Sequence, residues 1–278
     1  MLNKALSQLL DQKKTLIMLH RGSHGGNIIE NTLNAVEIAG KRGADIAEID
    51  VVQSTDGIFY VFHDGREPEL LKEEKNINQM SSEEIDACSY YNELNCKLHK
   101  KVERLGDLLS QLEPGHLINI DRSWTHWDKL LDFLDQFKEH RDYLLLKSPV
   151  QKEYLDLLDQ HEVKYPYFPI IKNVEELKLV ESYQNINLIG FEVIQREGNL
   201  DFFYSEEFTR YKNGDYFILA NAINLDDDIK LFGPYTDELA ITKDPDLAWG
   251  KLMDMGINCI QTDWVDLLYR YRKERYGL

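Results

Sequence analysis

Two carboxylates stand two positions apart in an apolar stretch near the N-terminus. Glu48 and Asp50 alternate with Ile49, Val51 and Val52. If the stretch is a β-strand, both carboxylates point to the same face. Burying two like charges side by side is costly, so one pKa must rise strongly or a cation must lie between them. They could instead be solvated residues at an exposed strand end, but the apolar neighbours favour burial.

A third carboxylate, Asp121, ends the apolar run 117–120. This position suits the carboxyl end of a barrel strand, where barrel active sites lie. It also suits a helix N-cap or a turn. Three carboxylates at one rim would make a hard oxygen site for Mg²⁺ or Ca²⁺. Zinc is disfavoured because no cysteine joins the three carboxylates.

Two histidines also end apolar runs. His20 follows the run 16–19 and precedes Arg21, and His63 follows the run 59–62. Arginine offers a bidentate fork to phosphate oxygens, and histidine exchanges a proton near neutral pH. Two histidines on opposite sides of a phosphate could take the proton of a nucleophile and protonate a leaving alkoxide. Taken singly, each of these residues is explained more simply by a structural role.

Four further residues are candidates for binding a substrate. Glu30, at the start of a predicted helix, suits the positive helix end, or it could orient Arg21 or a substrate hydroxyl. Glu192 and Asn221 end later apolar runs and could bind the alcohol part of a substrate, although such residues are more often structural. Trp264 could cover the mouth of a barrel or pack at its rim.

Nine apolar runs are predicted as strands, and they alternate with amphipathic segments in the pattern of βα units. The predicted strands are 15–20, 45–52, 58–63, 117–121, 143–148, 167–172, 188–193, 216–222 and 256–262. The predicted helices are 31–42, 81–87, 105–111, 128–140, 152–160, 174–183 and 245–255. Only residues 53–57 separate the second and third strands, which is too few for a parallel crossover. These two strands are therefore predicted as a hairpin arm, which leaves the eight strands of an α/β TIM (β/α)8 barrel.

The composition limits the class of protein. The chain has 278 residues with 32 Lys+Arg and 49 Asp+Glu, a formal charge of −17. This charge disfavours nucleic acid as a partner, and an anionic substrate would need a local cation. We expect no membrane span, no secretory signal and three free cysteines in a reducing compartment, hence a cytoplasmic location. The polar segment 65–98 is predicted as an insertion in one domain, 1–278, and the acidic run 226–228 as a solvated loop or helix start.

Several short segments occur in an order and at spacings that resemble one family. The segments are His20-Arg21-Gly22, Glu30-Asn31-Thr32, Gly43-Ala44-Asp45, Glu48-Ile49-Asp50-Val51, Thr55-Asp56-Gly57 and His63-Asp64, with 256–263 similar to a last strand. Together they resemble the glycerophosphodiester phosphodiesterases, of the phospholipase-C-like phosphodiesterase superfamily. The resemblance implies a barrel with an insertion after its early strands. It also implies hydrolysis of a small glycerophosphodiester to sn-glycerol 3-phosphate and an alcohol with a divalent cation, Mg²⁺ or Ca²⁺.

The resemblance also implies roles for single residues. It makes His20 and His63 the acid–base pair, Arg21 a phosphate contact, and Glu48 and Asp50 metal ligands.

The chain departs from the family pattern on the strand that ends at Asp121. The family usually has Glu-x-Lys there, whereas this chain has Asp121 and, at the lysine position, Ser123. Asp121 can still bind a metal, and Lys147 on the next strand could supply the missing charge. The alternatives are a phosphodiesterase for another small phosphodiester and a non-catalytic barrel that binds a phosphorylated ligand. A phospholipase acting at a membrane surface is disfavoured because the chain lacks a basic or amphipathic anchor.

Overall fold

The computed structural model describes residues 4–196, 199–225 and 229–278, so the acidic run 226–228 lies outside the described residues. The strands are β1 (Leu16–Leu19), β2 (Ile46–Gln53), β3 (Phe59–Val61), β4 (Glu103–Arg104), β5 (Leu117–Asp121), β6 (Leu144–Leu146), β7 (Ile170–Ile171), β8 (Gly190–Val193), β9 (Phe217–Asn221), β10 (Asn224–Leu225), β11 (Ile229–Lys230) and β12 (Cys259–Thr262). The helices are α1 (Lys4–Lys13), α2 (Leu33–Lys41), α3 (Glu67–Leu70), α4 (Ser82–Ala87), α5 (Leu105–Gln111), α6 (Trp127–Leu134), α7 (Lys152–Gln160), α8 (Val174–Glu181), α9 (Glu206–Lys212), α10 (Asp237–Thr242), α11 (Trp249–Asp254) and α12 (Val265–Tyr276).

Eight parallel strands close into a barrel. β1 pairs with β2 and β12; the sheet continues from β2 through β5 to β6, and from β12 through β9 and β8 to β7. Parallel bridges from Leu146 to Tyr167 and from Pro149 to Ile170 close the gap between β6 and β7. The predicted TIM-barrel fold is confirmed.

The predicted hairpin arm is also present. β2 has eight residues, and its last three pair antiparallel with β3, from Val51 opposite Val61 to Gln53 opposite Phe59. Gly57 has φ +92°, a conformation that glycine adopts at little cost, and this lets the chain reverse within 53–57. The hairpin returns the chain toward the barrel mouth, because the backbone N–H of Phe62 donates to the carbonyl of Asp50 at 3.0 Å.

The segment 65–98 packs against this hairpin. Ile77, Met80 and Ile85 are buried in one apolar cluster with Tyr60 and Phe62 of the hairpin. The start of α4 is fixed by a capping box, in which Ser81 and Glu84 each bond the backbone of the other. The insertion therefore shares a small core with β3. The assignment of 1–278 to one domain stays a prediction.

The inward-facing side chains of the barrel change character along the strands. On β2 the inward positions run from Ile46 through Glu48 to Asp50, and on β5 from Leu117 to Asp121. Ile46 and Leu117 are buried in the apolar cluster that fills the amino-terminal end of the barrel. Acidic side chains therefore lie only toward the carboxyl ends of these two strands, where a barrel is open to substrate.

The described helices differ from their predicted bounds in two places, and five of them were not predicted. The helix predicted over 128–140 ends at Leu134, and that predicted over 245–255 breaks at Ala248, where φ is −119° and ψ is −85°. Helices α1, α3, α9, α10 and α12 lay outside the predicted set. In α12 the apolar pattern is weak because the helix buries Arg272, whose guanidinium pairs with Asp45 beneath the barrel. Among the described residues, no helix is long and apolar enough to cross a membrane.

Candidate active site

The three predicted carboxylates converge. Asp50 lies directly opposite Asp121 in the pairing of β2 with β5. Glu48, Asp50 and Asp121 each present a carboxylate oxygen, and these three oxygens lie within 4.8 Å of one another. Glu48 and Asp50 are buried, while Asp121 is partly exposed at the rim. Such an all-oxygen set suits a hard divalent cation.

Glu48 has one satisfied oxygen and one open oxygen. Its Oε2 accepts the backbone N–H of Arg21 at 2.7 Å, whereas the buried Oε1 has no hydrogen-bond partner among the described residues. Burial, and then the charge of Asp50, raise the pKa of Glu48 to about 8, against a smaller opposing effect of His20. A cation beside Oε1 would satisfy this atom and offset the repulsion between carboxylates. The residues present therefore fit a bound metal ion.

Asp50 is held by Asn31, a contact that the sequence did not predict. Asn31 Nδ2 donates to Asp50 Oδ2 at 3.0 Å, and Asn31 Oδ1 accepts the backbone N–H of Asp50 at 2.8 Å. Asn31 is free for this because Thr32, the other residue that could cap α2, accepts from Ala35 N. Asn31 and Arg21 have φ +55° and +54°, a left-handed conformation that is uncommon outside glycine.

Arg21 lies between two acids. Its Nη1 donates to Glu30 Oε1 at 3.0 Å, and its Nε lies 3.5 Å from Asp50 Oδ2. Glu30 is buried and also lies 3.5 Å from Arg66 Nη2. Of the partners considered for Glu30, Arg21 is the one that its carboxylate contacts. The guanidinium is thereby fixed beside the carboxylate group.

His20 is paired with an acid from the last barrel strand. Its Nδ1 lies 2.9 Å from Asp263 Oδ1. A carboxylate only accepts hydrogen bonds, so the proton lies on Nδ1, and Nε2 of the neutral ring is an acceptor. Burial lowers the pKa of His20, but the hydrogen bond to Asp263 and the charge of Glu48 outweigh it, and the pKa is raised.

His63 follows β3, and its surroundings shift its pKa in the direction opposite to that of His20. Its Nδ1 is buried and has no hydrogen-bond partner among the described residues. Burial lowers the pKa of His63; the charge of Asp50 opposes this, while Arg21 and Arg122 add to it, and the pKa is lowered overall. The two histidines thus interact with the same group of charges, but their pKa values are displaced in opposite directions.

Lys147 is buried inside the barrel next to the carboxylates. Its Nζ lies 2.8 Å from Asp121 Oδ2 and 2.8 Å from Glu192 Oε2. Burial lowers the pKa of Lys147, but the charges of Asp121, Glu192 and Glu48 together raise it. Asn221 Nδ2 donates to the other oxygen of Glu192 at 2.8 Å. Lys147, Glu192 and Asn221 therefore form a buried polar chain that leads from Asp121 to β9.

Ser123 and Trp264 complete the set of residues considered from the sequence. Ser123 is buried, and its Oγ accepts Trp127 Nε1 at 3.1 Å, so it is engaged in packing. Trp264 is half exposed at the rim. It lines a cavity of about 230 Å³ together with Ile241 and Asp263, the residue bonded to His20.

Three residues of the site were not predicted. Asp263 ends a barrel strand, so the rule that found Asp121 would have found it too. Asn31 stood in a family-like segment, but it begins the predicted helix 31–42, where an asparagine is expected to cap the helix. Asp237, described below, carried no signal because its helix was not predicted. A second group also has ligand atoms within 4.8 Å of one another: Asp132 in α6, Asp135 just after α6 and His161 just after α7, all outside the barrel.

Comparison with known proteins identifies a matching family and a relative that covers most of this chain. The sequence profile described as the glycerophosphoryl diester phosphodiesterase family matches residues 20–196, and a domain of unknown function matches 167–272. The glycerophosphodiester phosphodiesterase of Bacillus subtilis is 24% identical over 286 residues, covering 95% of this chain and 89% of that protein.

Solved structures share the fold. A glycerophosphoryl diester phosphodiesterase from Parabacteroides distasonis superposes with a TM-score of 0.70 at 14% identity, covering 94% of this chain and 87% of that one. A phosphodiesterase from Oleispira antarctica, in complex with the product sn-glycerol-3-phosphate, has a TM-score of 0.63 at 18% identity and covers 93% and 96% of the two chains.

Proposed function

Because the chain belongs to the glycerophosphoryl diester phosphodiesterase family, we propose that it hydrolyses small glycerophosphodiesters to sn-glycerol 3-phosphate and an alcohol. The observation that carries the proposal is the meeting of three carboxylates, Arg21 and His20 at the carboxyl ends of the barrel strands, with His63 of the hairpin arm close enough to interact with Asp50 and Arg21. The curated relative from Bacillus subtilis is named for this activity, and the Oleispira antarctica structure holds the corresponding product.

Glu48, Asp50 and Asp121 would hold a divalent cation, Mg²⁺ or Ca²⁺. The proposal is supported by the open, buried Oε1 of Glu48 and by an all-carboxylate donor set. When bound, the ion supplies positive charge that stabilises negative charge developing on the phosphate oxygens. Arg21, oriented by Glu30, offers a guanidinium fork to the same oxygens. Lys147 adds a buried positive charge in place of the lysine that Ser123 does not supply.

His20 and His63 would perform the proton transfers. One takes the proton of the attacking hydroxyl, and the other protonates the alkoxide that leaves. The attacking group is either the glycerol hydroxyl next to the phosphoester, which gives a cyclic phosphate, or a water molecule. Asp263 fixes His20 with Nδ1 protonated, so Nε2 is the nitrogen available for transfer. Glu192, Asn221 and Trp264 would bind the alcohol or glycerol part.

The test is hydrolysis of glycerophosphodiesters and of bis-p-nitrophenyl phosphate by the purified protein, with and without EDTA. We expect EDTA to abolish the activity and His20→Ala and His63→Ala each to lower kcat by about 10²–10⁴-fold. His99→Ala changes an exposed histidine outside the site and serves as the matched control. If both site variants kept wild-type turnover, the scheme would be wrong.

Two further measurements resolve the mechanism. The pH profile of kcat/KM for His20→Ala and His63→Ala shows which histidine is the base and which is the acid. The variant whose profile no longer falls at low pH is the one that lacks the general base. A cyclic phosphate trapped at early times would indicate attack by the glycerol hydroxyl. A protein that bound glycerol phosphate without hydrolysing any diester would instead be the non-catalytic barrel considered from the sequence.

A further inference from the structure

Asp237 is a buried carboxylate that touches none of the proposed metal ligands. Every polar partner of its side chain is a donor. Trp249 Nε1 donates to Oδ1 at 2.8 Å, Thr262 Oγ1 lies 2.9 Å from both oxygens, and the backbone N–H of Asp263 donates to Oδ2 at 3.0 Å. The backbone N–H of Asp237 in turn donates to the carbonyl of Ala222 at 2.7 Å, which ties it to the end of β9.

This arrangement favours an ionised carboxylate. Both oxygens of Asp237 accept hydrogen bonds. An asparagine at this position would point its NH₂ group, a donor, at one of the surrounding donors. Burial raises the pKa of Asp237 to about 6, which leaves the group ionised at neutral pH. No lysine or arginine among the described residues pairs with it. A buried charge without a cation costs folding free energy, so stability alone gives little reason for an acid here.

The contacts of Asp237 fix the short segment that holds His20. Thr262 Oγ1 donates to Asp237 and accepts the backbone N–H of Trp264 at 2.9 Å. The residue between them, Asp263, has its backbone N–H bonded to Asp237 and its carboxylate bonded to His20 Nδ1 at 2.9 Å. Asp237 thus holds the backbone of residues 262–264, and the middle residue of this segment is the acid that orients the His20 imidazole.

We propose that Asp237 is a positioning residue for the reaction, acting through Asp263 on His20. By holding the backbone of 262–264, it keeps the Asp263 carboxylate on Nδ1 of His20 and leaves Nε2 directed at the substrate. The inference rests on the proposed acid–base role of His20. No new bond is made or broken by Asp237 itself.

The first test compares Asp237→Asn with Trp249→Phe. Both variants remove hydrogen bonds from the same buried cluster, so both should lower Tm. Only Asp237→Asn puts a donor against Thr262 or Asp263. We expect it to lower kcat by about 10–100-fold with KM within about twofold, since a displacement of the reacting group by an ångström has an effect of this size. Trp249→Phe should keep kcat within about twofold.

A second readout does not depend on activity. In protein labelled with ¹⁵N at histidine, the ring nitrogens of His20 report which nitrogen carries the proton, and His20→Gln assigns the signals. We expect Nδ1 protonation in the wild type and in Trp249→Phe, and a mixture of tautomers in Asp237→Asn. If the protein proved to have no phosphodiesterase activity, the proposed function would fail, while this measurement would still test the contact chain.

A double-mutant cycle separates positioning from an independent effect. If Asp237 acts through Asp263, adding Asp237→Asn to Asp263→Asn lowers kcat no further. Losses that multiply, or an Asp237→Asn variant with wild-type kcat and His20 signals, would overturn the inference. Should Asp237→Asn fail to fold, Thr262→Val replaces it in the same cycle, because it removes the hydroxyl that joins Asp237 to Trp264.

Discussion

Lys147→Met should cost far more stability than the loss of an ion pair at the surface. In the folded protein the Lys147 ammonium contacts Asp121 and Glu192 at 2.8 Å each, and its side chain is 3% exposed. The substitution leaves two carboxylates next to Glu48 without their cation. Removing one partner of a buried pair costs about 3–5 kcal/mol, because the remaining charge is desolvated and unpaired.

The structure offers a matched control. Lys152 pairs with Asp156 at 2.6 Å, but its side chain is 73% exposed. Water screens this pair, so Lys152→Met should cause little or no measurable change in stability. Because the pKa of Lys147 is raised above its ordinary value of about 10.5, its contribution is present at neutral pH and lost only in strongly alkaline solution. Both variants can therefore be compared at pH 7.

The assay is urea unfolding followed by tryptophan fluorescence with EDTA present, so that no metal ion compensates for the lost charge. The double variant Lys147→Met/Glu192→Gln should recover part of the loss, since it removes one of the two unpaired carboxylates. A free energy of unfolding for Lys147→Met within about 1 kcal/mol of the wild type would refute the reasoning.

The remaining predictions concern catalysis, the metal site, the backbone and pH. Lys147→Met should also lower kcat/KM for a glycerophosphodiester, and an unchanged value would exclude Lys147 from substrate binding. Mg²⁺ or Ca²⁺ at about 100 times its Kd should stabilise the wild type by about 2.7 kcal/mol in thermal unfolding. Glu48→Gln should lose this stabilisation. Asp132→Asn, which changes the second carboxylate group outside the barrel, should keep it. Gly43→Ala should lower the free energy of unfolding by about 2–4 kcal/mol, because at φ +102° its Cβ would overlap the Tyr269 ring. Gly256→Ala, at φ +89° in open space, should lower it by only about 1 kcal/mol. Urea unfolding of the two variants measures both effects. Because the pKa of Asp237 is raised to about 6, its contribution to stability should fall by about 3 kcal/mol as pH rises from about 3 to 7. Parallel pH dependences of stability in the wild type and Asp237→Asn would contradict this.

The sequence alone was enough to predict the barrel and the strand positions of the carboxylates. Alternation with period two placed Glu48 and Asp50 on one face of a strand, and this is a local property of an extended chain. The five residues 53–57 excluded a parallel crossover, so the hairpin followed from chain length. Asp121 and Lys147 were identified in the same way, from their positions at the ends of apolar runs.

Only the tertiary structure decided which strand ends meet and what each side chain contacts. His20 and Asp263 are 243 positions apart, and they bond because barrel closure puts β1 beside β12. Whether Asn31 or Thr32 capped α2, and what Lys147 paired with, depended on neighbours from other strands. The opposite pKa displacements of the two histidines follow from burial and surrounding charge, which are properties of the three-dimensional arrangement. Strand identity is encoded locally, whereas electrostatic environment is set by residues that folding brings together.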